Sequence, residues 1–163
     1  ITKQEMRQLI QDIRSEIPQI CIRTTFIVGF PGETQQDIDD LKDFLEEMQF
    51  DRVGVFTYSH EENTEAYQLA DTLTQEEKED RAAEIMAVQQ DISFEKNQAM
   101  IGKIYKVIID KKEAGRYIGR TEFDSVEVDN EVIVHSAKKL TPGQFVQVKI
   151  TKAYDFDIEG EVI

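Results

Sequence analysis

Residues 24–34, Thr-Thr-Phe-Ile-Val-Gly-Phe-Pro-Gly-Glu-Thr, hold the most chemically suggestive spacing in this 163-residue chain. An apolar run ends at Gly29, a Gly-Phe-Pro-Gly turn follows, and Glu33-Thr34 opens a helical pattern at once. Glycine carries no Cβ, so a ligand can lie against bare backbone there. Loops at the carboxyl ends of strands are also where α/β folds bind ligands. The same residues equally suit a tight strand-to-helix turn that needs glycine and proline for geometry alone. A second candidate is Val55-Phe56-Thr57-Tyr58, where strand alternation places Phe56 and Tyr58 on one face, within reach of one apolar pocket or of an ordinary core.

Other chemistry-bearing residues are sparse. Cys21, inside Ile20-Cys21-Ile22, reads as a packed core thiol. One cysteine allows neither an internal disulfide nor a cysteine-ligated metal cluster built from this chain alone. His60 reads as a loop residue, and His135 as an exposed or hydrogen-bonded strand residue. No residue of the chain is singled out as catalytic or as a metal ligand.

The elements that must position these residues follow from local pattern. Thr2 with Glu5, Thr34 with Asp37 and Thr74 with Glu77 have the spacing of capping boxes, each ahead of a helically spaced apolar stripe. The stripes are Met6, Leu9, Ile10, Ile13 and Ile17; then Ile38, Leu41, Phe44, Leu45 and Met48; then Ile85, Val88 and Ile92. The acidic outer face of the second helix (Asp39, Asp40, Asp43, Glu46, Glu47) reads as solvated. Residues 20–30 and 52–58 read as strands too apolar to carry a wet face. Two parallel strands cannot shield both of their own faces or pair both edges. Residues 1–99 therefore read as the tail of a larger repeating β/α array, poorly folded or dimer-forming by itself unless its three helices cover the strands.

From Lys103 the apolar period changes to two. Residues 103–110, 116–121, 131–135, 145–152 and 158–163 read as five short strands joined by turns, a small closed or nearly closed antiparallel barrel. Charge divides in the same place. Residues 1–99 hold 9 basic and 22 acidic side chains, whereas residues 100–163 hold 10 and 11. Neither part is the strongly basic surface that grips nucleic acid through phosphates. No segment has the length or apolarity of a membrane span and no signal-peptide pattern opens the chain, so the expected address is cytoplasmic.

The wording of three stretches is more specific than their pattern. TTFIVGFPGET (24–34), FDRVGVFTYSHEENT (50–64) and GRTEFDSVEVDNEVIV (119–134) resemble the carboxyl half of the radical S-adenosylmethionine methylthiotransferases, and the resemblance runs along essentially the whole chain. It implies an α/β plus all-β architecture: residues 1–96 as the carboxyl-terminal portion of a radical-SAM (β/α) barrel, and residues 97–163 as a five-stranded, OB-like TRAM barrel. It implies a parent enzyme that uses S-adenosylmethionine and two 4Fe-4S clusters, whose cysteine ligands this chain lacks, leaving the chain inactive by itself. Ile27, Val28, Gly29 and Phe30, with Phe56 and Tyr58, match the family strands that line the S-adenosylmethionine cavity. Asn63 stands where the family commonly has glycine, and asparagine tolerates the left-handed backbone that position needs.

The second and third stretches resemble the branch that modifies an aspartate of a small-subunit ribosomal protein more than the branch that modifies tRNA. A barrel that docks the basic ribosomal protein through Asp124, Glu127 and Asp129 is the expectation; Lys138 and Lys139 are further docking candidates. Docking to tRNA through Lys138, Lys139 and neighbouring lysines, in a tRNA adenosine methylthiotransferase, is one alternative, with few aromatics between them for base stacking; a non-catalytic RNA- or protein-binding module is the other.

Overall fold

The computed structural model describes residues 2–163, so Ile1, the first residue of the expected amino-terminal module, lies outside the described residues. The chain forms two compact units, one reaching Ile92 and one comprising Ser93–Ile163.

The first unit holds α1 (Lys3–Glu16), β1 (Arg23–Val28), α2 (Gln35–Met48), β2 (Arg52–Thr57), a short 3₁₀ turn (Glu65–Gln68) and most of α3 (Gln75–Gln98). All three helices start where their capping residues require. Thr2–Glu5 and Thr34–Asp37 form reciprocal capping boxes. At α3, Thr74 N donates to Glu77 Oε2 at 2.7 Å and Glu77 N donates to Thr74 Oγ1 at 3.2 Å. Each box satisfies amides that the first helical turn leaves without intrahelical partners.

β1 and β2 pair in parallel, with Phe26 opposite Val55 and Ile27 opposite Phe56. The sheet differs from its sequence reading. β1 is shorter than residues 20–30, and only one of its faces is covered. Phe26, Val28, Val53 and Val55 pack with Ile38, Leu45, Phe50 and Ile85 of the helix-side core. Each such side chain, fully buried, stabilises the fold by about 1.5–3 kcal/mol. The other face carries Ile27, 62% exposed, and Phe56, 63% exposed. An apolar run reads alike whether one face or both are covered, but the pleat sends alternate residues to opposite sides. Among the described residues, each strand of the pair also keeps one edge unpaired.

The second unit is a closed barrel in the order β3-β4-β5-β7-β6. Its strands are β3 (Ile104–Glu113), β4 (Arg116–Arg120), β5 (Val132–His135), β6 (Phe145–Ala153) and β7 (Ile158–Val162). Val107, Ile109, Val132, Val134, Val148 and Ile150 fill it. The expectation of a wholly antiparallel barrel is corrected at one seam: β5 and β7 run parallel, with Val132 opposite Ile158. β7 turns back antiparallel on β6 and enters beside β5, and this insertion closes the barrel. Asn97 Nδ2, on the last turns of α3, donates to the Tyr154 carbonyl at 3.0 Å.

The seam is fastened by Glu159 on β7, itself buried. Lys152 Nζ reaches its carboxylate at 2.9 Å, Tyr154 OH donates at 2.7 Å and His135 Nε2 lies 3.1 Å away. The hydrogen bonds from Lys152 and Tyr154, with a smaller one from His135, hold the Glu159 carboxyl down at about 2 from its ordinary 4.5. A carboxyl whose folded pKa is depressed contributes stability that is complete above its unfolded value and is lost as pH falls through the folded one. Glu159→Gln is therefore expected to cost about 2 kcal/mol at pH 7, the worth of hydrogen bonds to a charged acceptor. That deficit should shrink between pH 4.5 and pH 2, as read from urea midpoints across pH.

Candidate functional site

The first candidate site lies at the carboxyl ends of β1 and β2. Gly29 and Gly32 adopt φ of 76° and 87°, backbone that disfavours any side chain. The Gly29 N–H donates to Glu33 Oε1 at 2.8 Å, and Glu33 N donates to the Phe30 carbonyl at 2.9 Å, so the turn closes on itself. β2 is extended beside it by Tyr58 N donating to the Val28 carbonyl at 2.8 Å. The rings of Phe30 and Tyr58 then meet edge to face, 5.2 Å apart.

Two cations from the first turns of α3 hold both strand ends. Arg81 Nη1 donates to Glu33 Oε1 at 2.7 Å and to the Glu33 carbonyl at 3.1 Å. Lys78, buried, donates to Asp71 Oδ2 at 2.6 Å and to the Tyr58 carbonyl at 3.3 Å, with its ammonium 5.2 Å from the Tyr58 ring centroid. The Lys78 stem passes so close to Gly29 that a Cβ on Gly29 would collide with Lys78 Cγ. The glycine thus answers to a packed lysine as well as to its φ.

The sequence pattern carries one signal of these cations. A helix N-terminus favours anions, and the run Gln75-Glu-Glu-Lys-Glu-Asp-Arg81 carries two cations at i and i+3 there. Cations placed against the helix dipole must be held by something other than the helix.

Of the residues expected to line a cavity, Ile27 and Phe56 stand side by side on the open face, and Phe30 is exposed at its end. Val28 is corrected in part: its side chain is fully buried among the helices, so only its backbone can take part. Tyr58 is corrected too. The regular pairing of β2 ends at Thr57, and Tyr58 is buried against Phe30 and Lys78, whereas Phe56 is exposed. The open face is an apolar, aromatic wall, a chemistry that suits a flat heteroaromatic ring, while Gly29 beyond it is buried beneath the Lys78 stem. Asn63 takes φ 66°, the left-handed backbone expected of it. His60 is exposed and lies against Tyr67, with ring centroids 4.6 Å apart.

The second candidate site is the connection from β4 to β5. Asp124 is not a free docking carboxylate: it is buried and bonded to Thr121 Oγ1 at 2.5 Å. Asp129 is half-buried and accepts from Ser125 N at 2.7 Å. Glu127 is exposed, with a left-handed φ of 61°. Lys138 and Lys139 are exposed, but they follow β5 whereas the acidic loop precedes it. At about 3.3 Å per residue, the four residues of β5 separate the two groups by roughly 13 Å.

Among the described residues no cluster of His, Cys, Asp or Glu could hold a metal ion. No helix among them is long and apolar enough to cross a membrane.

The barrel agrees with its sequence family. Residues 101–163, which hold the barrel strands, match the TRAM domain. Over its full length it is similar to proteins named ribosomal protein uS12 methylthiotransferase RimO. It is 49% identical to that of Flavobacterium psychrophilum over 161 residues, 98% of this chain and 37% of the relative. It is 51% identical to that of Cytophaga hutchinsonii over 164 residues and 48% identical to that of Chloroherpeton thalassium over 167, each covering 100% of this chain and 38% of the relative. It spans somewhat more than a third of their length.

Proposed function

We propose that this chain is the carboxyl-terminal portion of an enzyme that places a methylthio group on an aspartate of the small-subunit ribosomal protein uS12. Residues 1–96 would serve the cofactor side and residues 97–163 the docking side. The observation that carries the reading is the pairing of an open Ile27–Phe56 face with a TRAM barrel, in a chain about half identical to uS12 methylthiotransferases along its whole length. When bound, S-adenosylmethionine supplies the radical chemistry of the parent enzyme.

In this chain Ile27 and Phe56 would wall the adenine, the Gly29 turn would set the end of that wall, and Phe30 would close one end of the cavity. Glu33 and Arg81 keep the Gly29 turn in shape, and Lys78 fixes Tyr58. The 4Fe-4S clusters do not fit the residues present, since Cys21 is the only cysteine. The address that suits this activity is cytoplasmic. In the isolated chain, the unpaired edges of β1 and β2 are where a second copy would add.

Titration of the 163-residue chain with purified uS12 and with bulk tRNA across a salt series tests the docking half of this reading. Saturable binding to uS12 in preference to tRNA is expected, because opposite charge steers a basic protein to an acidic surface. Preferential tRNA binding with a steep salt slope would overturn it in favour of the tRNA-modifying branch.

A further inference from the structure

The segment from Thr121 to Glu131 holds five carboxylates (Glu122, Asp124, Glu127, Asp129, Glu131) and no cation. Three apolar side chains in the same segment face water: Phe123 is 38% exposed, Val126 51% and Val128 70%. A single exposed valine is ordinary, but three apolar side chains within six residues of a charged loop form a patch.

The loop is already ordered. Phe123 N donates to Thr121 Oγ1 at 3.2 Å, Asp129 N donates to the Ser125 carbonyl at 3.1 Å, and Glu131 N donates to Asp157 Oδ1 at 2.8 Å. A surface that needs no ordering loses less entropy when it binds. Beside the patch lies a cavity of about 200 Å³ whose walls include Lys111, Arg120, Val126, Glu127, Asp129 and Asn130. Asn130 is only 8% exposed, and its Nδ2 has no hydrogen-bond partner. A buried amide donor without a partner costs free energy that an arriving acceptor recovers.

We propose that the 121–131 loop is the docking surface for an extended basic segment of a protein partner. Val126 and Val128 contact an apolar side chain of that segment, and Glu127 takes a neighbouring lysine or arginine. Asn130 Nδ2 donates to one of its backbone carbonyls. Phosphate-bearing partners are disfavoured, because five carboxylates repel them. The proposal rests on the reading of the barrel as the module that docks a ribosomal protein. It transfers the contact from Asp124 and Asp129, which the loop uses for its own structure, to Val126, Val128 and Glu127.

The test measures uS12 binding by the full 163-residue chain and by two variants, Val126→Ser/Val128→Ser and Glu127→Lys. All three side chains are exposed, so the variants should melt with the unchanged chain, which thermal unfolding checks. The double variant is expected to weaken binding about tenfold at every salt concentration, as loss of apolar anchors does. Glu127→Lys is expected to weaken it about tenfold at low salt and much less at high salt. Wild-type affinity in both variants, with uS12 still bound, would overturn this inference and leave the ribosomal-protein reading standing. Failure of the unchanged chain to bind uS12 at all would overturn both.

Discussion

Lys78→Met is expected to destabilise the first unit by about 3 kcal/mol, the low end of what breaking a buried ion pair costs. Methionine keeps most of the stem that packs on Gly29, so the loss belongs to the ammonium. Its removal leaves Asp71 Oδ2 without its 2.6 Å partner, beside an Oδ1 that has none. It also frees the Tyr58 carbonyl and removes the cation from the Tyr58 ring. Because the chain has two units, one overall unfolding midpoint would blur the effect. Hydrogen exchange at the β1 and β2 amides, compared with exchange at the barrel amides, separates them. Faster exchange confined to the first unit is expected, and Lys78→Met/Asp71→Leu should recover part of the loss by removing the orphaned carboxylate. Unchanged exchange in β1 and β2 would mean that the ion pair holds nothing in place.

Gly119→Ala should be at least as damaging to the barrel, for a different reason. Gly119 lies in β4 opposite Ile109 and Val132, where β3 and β4 shift register. A Cβ there would collide with the Ile108 carbonyl and lie 2.8 Å from Val107 Cγ1. Carbonyl oxygen in a closed ladder cannot swing aside as a side chain can, so the strand pair must open. A cost of about 3 kcal/mol is expected, a fall of roughly 12 °C or more in the melting temperature of a unit this small. Gly143→Ala is the comparison: its φ of 82° is unfavourable, but nothing lies within 4 Å of the added Cβ. It should cost about 1 kcal/mol. Equal losses at the two positions would show that packing at the β3–β4 seam is not what requires Gly119.

Features set by neighbours in sequence were legible from residue types. The capping boxes at Thr2, Thr34 and Thr74 each need only residues three apart, and all three form. The period of two after Lys103 likewise marks the barrel strands. What could not be read depends on distant partners. The parallel β5–β7 seam is a closure effect, invisible in either strand alone. Ile27 and Phe56 look like core because an apolar side chain does not record whether anything covers it. Asp124 reads as a docking carboxylate among its acidic neighbours, although Thr121, three residues back, bonds it within the loop. Lys78 and Arg81 stood in an otherwise acidic helix start, and their partners Asp71 and Glu33 lie on separate loops.

The proposed activity of the protein to which this chain belongs is modification of uS12. The most direct measurement is the intact mass of uS12 from cells with the gene and from cells in which it has been deleted, with tRNA nucleosides analysed from the same cultures. Loss of one methylthio group from uS12 on deletion, with tRNA unchanged, is the predicted result. An unchanged uS12 mass beside tRNA that has lost its methylthio groups would contradict the account.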